Sequence, residues 1–164
     1  MSSLAASTRS PRVIAGLDEL RALVGREVAV SDWLEVSRER IAAFAEATGD
    51  HQWIHLDAER AARESPYGGV VAHGFLTLSL IPALRASAMA IEGVGMAINY
   101  GMNRVRFPAP LLAGRRVRGT FTLAALEPIE GGAQLTWQVT VAEDGAAKPC
   151  CVAEVLTRLY AAKR

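Results

Sequence analysis

The sequence predicts an α+β domain in which an antiparallel sheet of about five strands wraps around a central buried helix. Three observations carry this. Residues 74–91, GFLTLSLIPALRASAMAI, are apolar nearly all round, which marks a helix enclosed by protein rather than one lying on a surface. Residues 94–160 break into four strand-like runs separated by turn signals. The helical segments precede those four strands instead of alternating with them, which excludes a doubly wound βαβ fold.

Each element follows in order. Leucines at 17, 20 and 23 repeat at helical spacing and Gly25 closes that segment. Val28 and Val30 alternate with polar neighbours as a first strand. Ser37 can cap a helix whose apolar positions Ile41, Ala42, Phe44, Ala45 and Ala47 fit a 3.6 period, and Gly49 ends it. Between Gly49 and Asp57 the segment DHQWIHL is too short for another helix and too rich in ionisable groups to be a plain connector. Asp57 caps a short helix, and Pro66, Gly68 and Gly69 punctuate the chain before the buried run. The later strands span residues 96–107, 115–126, 133–143 and 150–160. They are divided by Pro108, Pro110 and Gly114, by Gly131 and Gly132, and by Asp144 and Gly145, and an antiparallel meander is expected. A sheet with one face packed on an all-apolar helix is a single hot-dog arrangement.

Composition bounds the function. The 164 residues suit one domain, expected over residues 15–162 after a flexible N-terminal tail at 1–14. With 18 Lys+Arg against 17 Asp+Glu, no global field supports nucleic-acid binding, and an anionic ligand must be met locally. The uncharged run 68–84 falls short of the ~20 apolar residues of a membrane span, so no membrane partner is expected. The first residues lack the apolar core of a secretory signal, and Cys150 and Cys151, adjacent on a strand, cannot form an ordinary bridge with each other. A reducing cytoplasm is the expected compartment.

The strongest constellation for chemistry is Asp50-His51-Gln52-Trp53-Ile54-His55. Asp50 and His55, five positions apart on a short loop, can converge on one ligand atom, and imidazole titrates near neutrality, which suits proton transfer through water. The competing reading is that Asp50 merely caps the following turn while the histidines face solvent. The second feature is His73-Gly74-Phe75 at the head of the buried helix. First-turn N–H groups have no intrahelical acceptor, so a carbonyl or oxyanion can be held at Gly74, although tight packing and a satisfied core histidine would produce the same residues. A metal held by His51 and His55 lacks a third ligand at recognisable spacing, so none is expected. Arg104 and Arg106 share one strand face and are the candidates for phosphate contact, although a solvated strand face is the commoner reading of either arginine alone.

Residues 44–57, FAEATGDHQWIHLD, and 72–76, AHGFL, together resemble the MaoC-like or R-specific enoyl-CoA hydratase (hydratase 2) family, whose motif runs S/T-G-D-x-N-P-aliphatic-H with a later HG at the head of the hot-dog helix. Residues 97–110, AINYGMNRVRFPAP, are similar to the short single-hot-dog, NodN-like members found in actinobacteria. The resemblance covers about residues 15–160. It implies that Asp50 and His55 are the catalytic pair and that Gly74 offers its N–H to a thioester oxygen. Gln52, His73, Phe75, Arg104 and Arg106 are the residues expected to contact an acyl-CoA substrate. The implied reaction is reversible hydration of trans-2-enoyl-CoA to (R)-3-hydroxyacyl-CoA, with no cofactor beyond the CoA carried by the substrate, in a homodimer. The sequence differs from the family motif at Gln52-Trp53, where Asn-Pro is usual, and that difference bears on loop geometry. Two rivals are weighed. A hot-dog thioesterase usually draws a carboxylate from the central helix, and residues 74–91 hold none. A non-catalytic acyl-CoA-binding hot dog requires the 50–56 loop to be disordered.

Overall fold

The computed structural model describes residues 10–162. Strand β1 (Arg12–Ile14) and helix α1 (Leu17–Ala22) lead into β2 (Glu27–Val30) and β3 (Leu34–Val36). Helix α2 (Arg38–Thr48), the four-residue α3 (Trp53–Leu56) and α4 (Ala58–Glu64) follow. The buried run forms α5 (Gly74–Ser79), α6 (Ile81–Ala88) and β4 (Met89–Ile91), and the chain closes with β5 (Val94–Arg106), β6 (Arg115–Ile129), β7 (Gly132–Glu143) and β8 (Cys151–Ala161).

The main sheet has the order β2-β6-β7-β8-β5, with β3 also paired to β6, so it holds six strands rather than five. Along β7 and β8 every second residue turns inward, and Leu135, Trp137, Val139, Val155 and Leu159 meet Leu76, Leu80, Ile81 and Leu84 of α5 and α6 in one core. Both free thiols are buried in it, and desolvation pushes Cys150 up to about 12 and Cys151 up to about 11.

Four sequence expectations change. The single helix over 74–91 is two segments, because Pro82 has no N–H to continue the ladder, although Leu80 between them keeps helical dihedrals. Its last residues leave the helix as β4, which pairs in parallel with β1. Residues 12–14, placed in the tail by the sequence, are therefore part of the fold, with Ile14 fully buried; residues 1–9 lie outside the described residues. The later strands are not one meander: β6, β7 and β8 are, but β5 pairs antiparallel with β8. The prolines of the β5–β6 connection cannot make a tight hairpin, and that connection docks instead on residues 70–72 through Ala72 N–H to Leu111 O (2.8 Å) and Ala113 N–H to Val70 O (2.9 Å). This leaves β5 at the sheet edge, and it lays the 70–72 segment and the start of α5 beside the 50–56 loop. No helix among the described residues is long and apolar enough to cross a membrane.

Candidate active site

Helix α2 forms because Ser37 accepts the Arg40 N–H at its start, and it stops at Gly49, whose positive φ of 76° lets the chain turn out of the helix and donate to Ala45 O. The 50–56 segment then coils into α3, a helix the sequence was judged too short to hold, closed by His55 N–H to Gln52 O (3.0 Å). One turn suffices to swing His55 inward, where it is buried.

His55 Nδ1 lies 2.6 Å from Val71 O. A carbonyl only accepts, so Nδ1 carries the proton and Nε2 keeps its lone pair. The Val71 N–H donates to Ile54 O (3.1 Å), so loop and helix-start segment are tied twice. Burial is the chief cause that lowers the His55 pKa; the Val71 hydrogen bond opposes it, His73 adds to the lowering, and Asp50 opposes it last. His55 is thus a neutral base at neutral pH.

The Asp50 carboxylate is half exposed, with a side-chain accessibility of 53%, while its carbonyl accepts from His73 Nε2 at 2.9 Å. Donor atoms of Asp50, His55 and His73 all lie within 4.8 Å of one another. One water making two ordinary hydrogen bonds spans about 5.5 Å, so a single water can touch the Asp50 carboxylate and a His55 nitrogen together. A small cation would compete for the same lone pairs, and the third group of that set is His73, whose distance in sequence hid it. His55 also lines a cleft of about 260 Å³ with Arg38, Glu39, Ala42 and Leu56.

His51 is not part of this convergence. Its Nε2 bonds the Glu46 carboxylate on α2 at 2.8 Å, and that bond chiefly raises its pKa. Gln52 is exposed and contributes its carbonyl to α3 without a side-chain cap. His73, expected to meet substrate, is only 2% exposed and stacks beneath His55, ring centroids 3.7 Å apart and 25° from parallel. Gly74 opens α5 with its N–H free of any intrahelical acceptor. A Cβ there would lie 2.8 Å from the Phe107 ring, so any larger residue requires that side chain to shift. Phe75 is 69% exposed and meets Phe107 edge-on. Arg104 and Arg106 are exposed on β5, and Arg106 donates to the Val105 carbonyl. Sequence reasoning missed the Val71 carbonyl, which has no residue signature, and Phe107, whose position opposite Arg106 in the strand alternation was the available signal.

The hot-dog fold is also what similarity finds. The MaoC like domain model matches residues 19–144. The chain belongs to the MaoC-like family. It is 48% identical over 151 residues to 3-hydroxyacyl-thioester dehydratase Z of Mycobacterium tuberculosis, covering 92% of this chain and 99% of that one. It is 44% identical to nodulation protein N of Rhizobium leguminosarum, over 86% of this chain and 89% of that one. An (R)-hydratase from A. caviae involved in PHA biosynthesis superposes with a TM-score of 0.65 at 24% identity, over 83% of this chain and 96% of that one, which shows the hot-dog fold of this MaoC-like chain.

Proposed function

We propose that this MaoC-like protein is a hydro-lyase that adds water reversibly to trans-2-enoyl-CoA, giving (R)-3-hydroxyacyl-CoA. The observation that carries the reading is the tautomer of His55: its Nδ1–H is spent on Val71 O, which leaves Nε2 as the basic nitrogen of a ring that lies at one-water distance from a carboxylate. The thioester oxygen rests against the Gly74 N–H, which stabilises the enolate charge that develops as water adds to C3. His55 Nε2 accepts a proton from that water, Asp50 orients it, and a proton from the pair completes the addition at C2. The dehydratase names of the 48%-identical relative and of a 33%-identical 3-hydroxybutyryl-CoA dehydratase of Methylorubrum extorquens support the reaction class. No cofactor is needed, since CoA belongs to the substrate. Buried free thiols fit a reducing cytoplasm. The test is loss of enoyl-thioester absorbance with crotonyl-CoA, followed by chiral analysis of the product; binding without turnover, or an (S)-product, overturns the reading.

The same reading makes the protein a homodimer. Edge strand β5 exposes Met96, Ile98, Tyr100 and Met102, an unpaired apolar edge that a second copy would cover. Sedimentation at micromolar concentration is expected to give twice 17.5 kDa, and a lone 17.5 kDa species refutes it.

A further inference from the structure

We propose that His73 is a positioning residue: without touching substrate, it holds the Asp50 main chain and supplies the flat floor on which His55 stacks. This rests on the hydration reading above. At 2% exposure, His73 is closed off from solvent. Its Nε2 donates to the Asp50 carbonyl (2.9 Å) and lies 3.9 Å from the Asp50 carboxylate, so the residue that orients the water is tied to the start of α5 by this side chain.

The tautomer is set by the same bond. Because the carbonyl only accepts, the proton sits on Nε2 and Nδ1 holds the lone pair. That Nδ1 is buried with no partner. The groups that face His73 are His55, stacked at 3.7 Å between ring centroids, the Asp50 carboxylate at 3.9 Å, and Phe44 at 5.1 Å between centroids. A flat ring and a fixed N–H donor are both required, and of the ordinary side chains histidine gives the two in this volume: phenylalanine stacks without donating, and glutamine donates without stacking.

Those two substitutions separate the roles. In the full chain, His73→Phe should lower kcat roughly 10- to 100-fold with KM within about threefold, because Asp50 is released while the substrate contacts remain. His73→Gln should recover part of that kcat, while its acid limb moves to higher pH as the His55 ring loses its dry floor. Thermal melting checks that each variant folds. A folded His73→Phe with wild-type kcat overturns the proposal, as does a rise in KM at unchanged kcat, which would make His73 a substrate contact. Should the variants fail to fold, imidazole NMR of the wild-type protein at pH 7 decides: His73 should carry its proton on Nε2, bonded to the Asp50 carbonyl, and an Nδ1–H form overturns the proposal. If wild-type protein proves inactive on enoyl-CoA, the hydration reading fails, whereas the NMR result still judges the tautomer and the stacking by themselves.

Discussion

Gly74→Ala separates a packing role from an oxyanion role at one position. The added Cβ would lie 2.8 to 3.0 Å from three atoms of the Phe107 ring, closer than carbon atoms pack. Gly74 has no positive φ, so the conflict is steric and not conformational. Phe107 is 40% exposed and can turn outward, which places the stability cost at the low end for overpacking, about 1 kcal/mol. In a domain of this size that lowers Tm by roughly 2–4 °C. Activity should suffer far more. If the thioester oxygen rests against the Gly74 N–H as proposed, the methyl group crowds its approach, and loss of one such donor costs about 10²–10³ in kcat. The assay pairs thermal melting with the decay of crotonyl-CoA absorbance, in Gly74→Ala and in Gly74→Ala combined with Phe107→Ala. The double variant removes the ring from the clash, so the two stability effects should be less than additive, while kcat should stay low because the methyl group remains. A Gly74→Ala protein that melts a few degrees lower yet hydrates within threefold of wild type would refute the oxyanion assignment.

Asp50→Asn and His55→Ala should each lower kcat by roughly 10² or more, and the double variant should lose little beyond the worse single one, since both serve one water; independent losses that multiply would argue against a shared water. His51→Ala, the control, should keep most activity, because its ring is bonded to Glu46 and not turned to the site. Arg104→Ala and Arg106→Ala should raise KM more than they lower kcat if either meets a CoA phosphate, and unchanged KM in both returns them to a solvated strand face. His55 has its pKa held below the ordinary 6.5, so the acid limb of kcat/KM should fall below pH 6.5. The unfolded chain binds more protons than the native one in that window, so the stability due to His55 is whole above pH 6.5 and declines as pH falls through its lowered value; denaturant melts at pH 5 and 7 of wild type and His55→Gln would show the difference.

The sequence showed those parts of the fold that local chemistry dictates. Ser37 and Asp57 were legible as caps because a short oxygen side chain ahead of an apolar period has one common use, and both accept the expected N–H. Gly49 was legible as a stop for the same kind of reason. The order of the strands was not, because β5 and β6 carry the same alternation whichever neighbour they take, and the choice rests on the 107–114 connection docking against residues 70–72. β1 was hidden by its brevity: three residues in a parallel pair with β4 have no pattern long enough to read. At the candidate site, Asp50, His55 and Gly74 stood out because ionisable groups and a glycine are conspicuous in an apolar context. His73 was found but misplaced, since nothing in a sequence distinguishes a histidine that faces a ligand from one that faces another histidine.

The Gln52-Trp53 departure shows how the site tolerates change in its most visible motif. A proline at position 53 would restrict φ at the first position of α3, where a missing N–H costs nothing, and an asparagine at 52 would suit the position before it. Neither constraint is needed here. The turn is closed by main-chain atoms, His55 N–H to Gln52 O and Asp57 N–H to Trp53 O at 2.9 Å, and anchored from outside by Val71 N–H to Ile54 O. Trp53 lies under the Arg60 guanidinium at 4.3 Å and packs against the core, so its indole and α4 take over the stiffening that a proline ring would supply. The direction of His55 therefore depends on backbone bonds that any residue at 52 and 53 can make, and it is the carbonyl of Val71, invisible in the sequence, that fixes which imidazole nitrogen keeps its lone pair.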